Sequence, residues 1–388
     1  MKILYVHNYY KIPGGEDTVV KAEIKMLERN GNEVILYSRH NNEMDSYGKL
    51  KKLMLPFTTI FNPTVYREIK GLIQKEKVDV IHVHNTVNII SFSVFYAAVK
   101  SKVPAVMTIH NFRLMCPKAT FLRDNKVCEE CIKKGPMHAV KYSCYRDSKL
   151  QTLGLSLSVC IHRLTGILSK INFICLTDFN REKLLNVKKI NPDKVYVKPN
   201  FVDSSDNFVK NHEGYFVYAG RLDYTKGVDV LLEAFLLRKE KGEKLIILGT
   251  GPEEDKLKRF SEDNNLSNVE FMGFVDNEKA RDIISKACAL ILPTRWYEGF
   301  PMSIAEALSY GTPVITTDIG NPAAIVKEGV CGSKFEKDDP KSLSDAITRL
   351  YGYENIREST FKEFSDKYTE KINYEILMDI YHKIGTDK

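Results

Sequence analysis

At 388 residues, 43% apolar and 28% charged, the chain is long enough for two domains with separate cores and has the composition of a folded globular protein. No apolar run reaches bilayer-spanning length, and Met1-Lys-Ile-Leu-Tyr-Val leads straight into a strand. Neither a membrane span nor a signal peptide is therefore expected, and a reducing, cytosolic setting is expected for the 8 cysteines, which argues against a disulfide framework.

The net charge of +7 is uneven: residues 1–200 hold 32 Lys+Arg against 17 Asp+Glu, and residues 201–388 hold 25 against 33. The basic half suits an anionic surface. With no nucleic-acid motif beside it, an anionic membrane is the partner expected and nucleic acid is not. Peripheral attachment to the inner face of the cytoplasmic membrane follows.

In chain order, Lys2–Val6 reads as a strand, Gly15–Asn30 as a helix closed by Gly31, and Glu33–Tyr37 as a second strand. Residues 47–57 mix lysines with apolar residues and suit a membrane interface. Val78–Val83, Pro104–Ile109 and Phe173–Thr177 continue the strands. Between the last two lies Leu153–Leu168, apolar but carrying His162 and Arg163, which fits an interfacial helix or a core-facing amphipathic one.

Val202–Glu213 is polar and reads as a linker. A second series follows at Tyr215–Ala219, Lys244–Leu248, Val269–Met272, Ala289–Leu292 and Val314–Thr317, and Lys367–Ile384 reads as a closing helix. Strands alternating with helices predict an α/β protein with two tandem Rossmann-like domains and a cleft between them, where ligands sit at the carboxyl ends of strands.

The richest segment is Pro293-Thr-Arg-Trp-Tyr-Glu298-Gly-Phe-Pro-Met-Ser-Ile-Ala-Glu306. It leaves a buried strand and enters a helix closed by Gly311. Helix N-terminal amides suit a phosphate, whereas two carboxylates suit hydroxyls; a nucleotide sugar offers both. Ala219-Gly-Arg221-Leu-Asp-Tyr-Thr-Lys226-Gly227 places Arg221 and Lys226 on a loop ahead of another helix, as a diphosphate clamp or as two solvated cations.

Pro13-Gly14-Gly15-Glu16 also joins a strand to a helix, and its glycines let the backbone approach a phosphate or simply turn. His110 ends the strand Val106–Ile109, where ligands bind; His7, His82 and His84 flank other strand ends. No Asp-x-Asp pair occurs, so Arg, Lys and a helix N-terminus are expected to neutralise the leaving group, without a catalytic metal. Cys116, Cys128, Cys131 and Cys144, spaced C-x11-C-x2-C-x12-C, form a structural zinc pattern, with four separately placed thiols as the alternative. His138 is a substitute ligand, and Cys160, Cys175, Cys288 and Cys331 read as small core residues.

Over nearly its whole length the chain resembles family 4 glycosyltransferases of the GT-B fold, among them bacterial cell-surface polysaccharide enzymes. The most specific shared part is the E-x7-E spacing of Glu298 and Glu306. The resemblance implies an acceptor-binding domain over 1–203 with the cysteine loop 116–144, a nucleotide-sugar domain over 204–366, and a helical segment 367–388 crossing back to the first domain.

By the same resemblance, Glu298 contacts donor-sugar hydroxyls and Glu306 the ribose. Amides of Gly299, Phe300 and Met302 meet the sugar and diphosphate, Arg221 and Lys226 hold the diphosphate with Gly15, and His110 lies over the sugar. Gly251 and Phe274 belong to loops that frame the base. The implied reaction is transfer of a hexose-type sugar, with retained configuration, from a UDP- or GDP-linked donor to a lipid-linked oligosaccharide. No enzyme nucleophile presents itself under the sugar, which favours front-face attack. A GT-B sugar-nucleotide epimerase and a non-catalytic sugar-nucleotide binder are the alternatives.

Overall fold

The computed structural model describes residues 1–11, 14–202 and 208–386. Pro13 of the glycine loop, the Lys52 side chain, and positions 203–207, which hold the expected 203/204 boundary and much of the expected linker, lie outside the described residues. Two units are present: Met1–Phe121 with Cys128–Pro199 and Asn373–Lys388, and Leu122–Val127 with Asn200–Ile372.

The first unit contains β1 (Lys2–Tyr9), α1 (Gly15–Arg29), β2 (Glu33–His40), α2 (Lys49–Ile60), α3 (Pro63–Glu76), β3 (Val80–Asn85), α4 (Ser93–Ser101) and β4 (Ala105–Ile109). A segment of short elements follows: β5 (Leu122–Arg123), β6 (Lys126–Val127), α5 (Glu130–Lys134) and α6 (His138–Lys141), with the β5–β6 hairpin assigned to the second unit. Then come α7 (Lys149–Leu164), β7 (Asn172–Cys175), α8 (Asp178–Leu185) and β8 (Val195–Val197).

Strand order is β2-β1-β3-β4-β7-β8, and every pairing is parallel. Consecutive residues Ile3 to Val6 are all buried, as they are when helices cover both faces of a parallel sheet. The order reverses between β1 and β3, and a register shift at Val6/His7 falls beside that point.

The second unit contains β9 (Tyr215–Ala219), α9 (Val228–Leu237), β10 (Lys244–Leu248), α10 (Glu254–Asp263), β11 (Val269–Gly273), α11 (Asn277–Lys286) and β12 (Ala289–Leu292). It continues with α12 (Met302–Ser309), β13 (Val314–Thr317), α13 (Gly320–Ile325), β14 (Gly332–Phe335), α14 (Pro340–Leu350) and α15 (Ile356–Lys367). Its parallel order, β11-β10-β9-β12-β13-β14, is that of a dinucleotide-binding sheet, with the switch point between β9 and β12. Alternate strand residues feed two cores: Phe216, Tyr218 and Ile247 on one face, Val217, Ile246 and Leu248 on the other.

Residues 208–213, expected to be linker, are held to this unit instead. The Val209 amide donates to Tyr310 O at 3.0 Å, and Arg357 Nε donates to Val209 O at 2.7 Å. The closing helix expected over Lys367–Ile384 is present as α16 (Glu370–Thr386); it starts three residues later, because Lys367 is the last residue of α15. From Asn373 onward α16 belongs to the first unit. Asn373 there donates to Pro199 O at 2.6 Å, and Tyr381 OH lies 2.6 Å from His82 Nδ1.

Candidate active site

In the second unit the loops after β9 and β12 open at the switch point and are zipped together. The Arg295 amide donates to Thr225 O at 2.8 Å, and Arg295 Nη1 to Tyr224 O at 2.9 Å. Gly227 makes this closeness possible: its φ is +68°, and a Cβ would sit 2.0 Å from Pro293 O. Arg295 is then locked by a two-pronged pair with Asp229 (2.7 and 2.9 Å) and by Asp338, so it braces the loops.

The bracing brings Lys226 to Glu298. Lys226 Nζ lies 2.7 Å from Glu298 Oε1, which also accepts from Thr294 Oγ1 at 3.0 Å. Among the described residues Glu298 Oε2 takes no hydrogen bond from the protein. Asn321 Nδ2 donates to the carbonyls of both Glu298 and Gly299, pinning the Glu-Gly turn from α13. Trp296 places its ring centroid 5.6 Å from Lys226 Nζ, and its indole N–H is buried with no acceptor. A buried donor without a partner costs free energy unless something else supplies the acceptor.

Pro301 caps α12 without a side-chain bond, so the first amides of the helix, Met302 and Ser303, remain donors. Glu306 lies one turn further on. Burial pushes its carboxyl above the usual carboxylate range, opposed by Arg281, whose Nη2 is 3.3 Å away. Phe300 packs 6.1 Å from the Tyr368 ring, and Met302 Sδ lies 3.6 Å from Asn200 Nδ2.

Three further expected donor residues lie on the loops of the same unit. Arg221 is exposed, with Nε 3.7 Å from Asp223. Phe274 is 82% exposed. Gly251 is packed so closely that a Cβ would meet Leu222 O at 2.2 Å. Thr294, Arg295, Trp296 and Asn321 were not singled out from sequence. The first three lie within the Pro293–Glu306 segment, while Asn321 arrives from a distant helix and leaves no local signal.

In the first unit His110 stacks on His84 (centroids 5.1 Å apart), and its Nε2 is 2.8 Å from His84 Nδ1. His84 Nε2 is 3.4 Å from Glu23 Oε2, and Glu23 also binds Lys198 and takes a 2.9 Å bond from Tyr5. Burial would raise the Glu23 carboxyl, but Lys198, His82 and the bonds from Lys198 and Tyr5 outweigh it and hold it low. Burial pushes His110 down to about 3 and His82 to about 4, so both rings are neutral near pH 7.

Glu23, His82 and His84 form the one group among the described residues whose ligand atoms all lie within 4.8 Å of one another. The Lys198 ammonium and the use of both His82 nitrogens, by Tyr381 and by Thr108 at 2.7 Å, make it a buried hydrogen-bond network rather than a cation site. Gly15 opens α1, and a Cβ there would meet nothing within 4 Å. Next to it burial pushes Glu16 up to about 7, with Oε1 left without a partner.

The four cysteines of the 116–144 loop gather around Cys131, whose thiol is pushed up to about 12 by burial and then by Cys116, Cys144 and Cys128. They do not reach the 4.8 Å ligand spacing. His138 is engaged by Glu130. Of the other four, Cys175, Cys288 and Cys331 are buried, but Cys160 is only half-buried.

Two parallel sheets with these switch-point loops define a GT-B glycosyltransferase architecture. Residues 202–364 match the family "Glycosyl transferases group 1", and residues 13–137 match "Glycosyltransferase Family 4". Both matches are to glycosyltransferase models, one in each half of the chain, and the Family 4 model covers the first. It is 24% identical over 379 residues to an uncharacterized glycosyltransferase of Methanocaldococcus jannaschii, covering 95% of this chain and 94% of that one. It is 30% identical over 181 residues to the lipopolysaccharide 1,6-galactosyltransferase of Escherichia coli, covering 42% and 49%.

Its fold is similar to that of the lipopolysaccharide outer core galactosyltransferase WaaB in its apo form, with a TM-score of 0.68, 16% identity and 99% coverage of both chains. It is also similar to the Anabaena protein HepE solved with UDP, with a TM-score of 0.64, 15% identity and coverage of 98% and 99%.

Proposed function

We propose that this glycosyltransferase moves a hexose-type sugar, with retained configuration, from a UDP- or GDP-linked donor to a lipid-linked oligosaccharide in cell-surface polysaccharide synthesis. It works without a catalytic metal at the inner face of the cytoplasmic membrane. The observation that carries the reading is the Lys226–Glu298–Thr294 cluster beside the open start of α12, with the Trp296 N–H unpartnered next to it.

As the bond from the sugar C1 to the diphosphate breaks, negative charge gathers on the leaving oxygen. Lys226, Arg221 and the amides of Met302 and Ser303 stabilise that charge. Glu298 Oε2 accepts from sugar hydroxyls and opposes the positive character at C1, and Glu306 accepts from the ribose. The acceptor oxygen bonds to C1 on the face the diphosphate leaves, and its proton passes to the departing phosphate oxygen. Neutral His110, with Nε2 engaged by His84, offers its other ring nitrogen to a sugar hydroxyl and does not act as a general acid near pH 7.

The test is incubation of the purified protein with UDP- and GDP-sugars and a lipid-linked acceptor, with and without EDTA. The reading expects free nucleotide, a product linkage of the donor's anomeric configuration, and no effect of EDTA. An isomerised donor, or an inverted linkage, would remove it.

A further inference from the structure

Helices α2 and α7 pack together through a close approach in which the Cβ direction of Gly154 meets Pro56 Cβ at 3.7 Å. Their outer sides are apolar and unpartnered. Leu50, Leu53 and Phe57 follow each other at helical spacing on α2, and Leu150, Leu157 and Leu164 recur every seventh residue on α7. These six side chains are between 39% and 84% exposed. Scattered exposed leucines are ordinary; a row on each of two helices packed together, here called the α2–α7 ridge, asks for an occupant.

The charge on the same helices says what it binds. Neither α2 nor α7 contains an Asp or Glu, whereas Lys49 and Lys51 open one and Lys149 the other, all exposed. The nearest acids upstream of α2 are engaged, Asp45 by Lys11 and Glu43 by Arg39, and Asp147 alone stands exposed before α7. Two copies meeting through this ridge would set lysine against lysine. An anionic lipid surface instead takes the leucines into its acyl boundary and leaves the lysines among the headgroups.

The inner sides of the same helices face the chemistry. Thr59 of α2 and Ser158 and His162 of α7 line a cavity that His110 and Arg113 also line. Arg113 Nε and His162 Nε2 are buried there without partners. The exposed rows and part of the wall around His110 are thus two sides of the same pair of helices.

We propose that the α2–α7 ridge is the membrane-docking surface of this protein, inserting shallowly into an anionic bilayer and holding the His110 cavity beside it. The inference rests on the reading of the acceptor as lipid-linked. The full chain is floated with vesicles of phosphatidylcholine alone and with about 30 mol% phosphatidylglycerol. Wild type is expected to float at least about tenfold better with the anionic vesicles, and Leu53→Glu/Phe57→Glu and Leu157→Glu/Leu164→Glu each to lose about tenfold.

All four positions are exposed, so the variants should keep the wild-type melting temperature, which is checked first. Equal flotation of wild type and variants overturns the proposal, as does a wild type that ignores anionic vesicles. A solution dimer that the variants dissociate overturns it in favour of a second copy. Donor cleavage in vesicle-free solution is expected to be unchanged in both variants; its absence from wild type as well counts against the proposed function, and flotation then still judges the surface.

Discussion

Breaking the Lys226–Glu298 pair should weaken the second unit and stop the chemistry together. At 2.7 Å the Coulomb attraction is about 6 kcal/mol for an effective dielectric of about 20, before desolvation is subtracted. Glu298 is nearly enclosed, whereas Lys226 keeps a fifth of its side chain in solvent. The expected cost of Lys226→Met is therefore toward the low end for a broken buried pair, about 2–3 kcal/mol, because it strands a carboxylate with only Thr294. Glu298→Gln keeps a group that can accept from Thr294 and should cost about 1–2 kcal/mol.

The double variant should cost less than the sum by about 1–3 kcal/mol, since the second change has no pair left to break. Trp296 is the sole tryptophan and lies 5.6 Å from Lys226, so its fluorescence in a urea titration reports on this unit. Each single variant should also lower donor turnover by about 10²–10³-fold. A coupling energy under about 0.5 kcal/mol, with Lys226→Met still active, would refute the pair as the centre of the site.

Gly227→Ala should destabilise the second unit by about 2 kcal/mol or more, since the new methyl meets Pro293 O at 2.0 Å in a left-handed turn; the same urea titration reads it, and an unchanged midpoint contradicts the loop geometry. Glu16, pushed up to about 7, keeps its proton in the folded protein between about pH 4.5 and 7, where the unfolded chain has lost it. Folding stability then falls as pH rises through that window, by up to about 3 kcal/mol, and Glu16→Gln should flatten the fall in melts taken from pH 5 to 8. For the thiols around Cys131 we propose a structural zinc; about one equivalent is expected in protein purified without chelator, and Cys131→Ser should lose it. Well under one equivalent in wild type removes the zinc.

The strands that carry the site were legible because each is a short apolar run bounded by polar turns; β9, β10, β12 and β13 lie where their residues place them. The outer strands β8 and β14 were not named from sequence. The first is an apolar triplet, Val-Tyr-Val, too short to stand out, and the second reads Gly-Ser-Lys-Phe, with no apolar run to show. Residues 208–213 looked like linker because they are polar, but backbone bonds to Tyr310 and Arg357 hold them, and such bonds leave no compositional trace.

At the site, Glu298 and Lys226 were visible as charged residues on glycine-bearing loops. Their contact across 72 positions was not, because it depends on the packing of Gly227 against Pro293. The Glu23–His84–His110 chain was hidden for a similar reason. Glu23 sits on the apolar face of α1, among Val19, Val20, Met26 and Leu27, and only the fold shows the lysine and histidines that meet it there.

The most direct measurement is release of nucleotide by wild type and Glu298→Ala, each shown to be folded, across UDP- and GDP-sugars with a membrane extract as acceptor. The account predicts release from one class of donor by wild type, and a loss of at least about 100-fold in the variant. Equal release by the two proteins would contradict it.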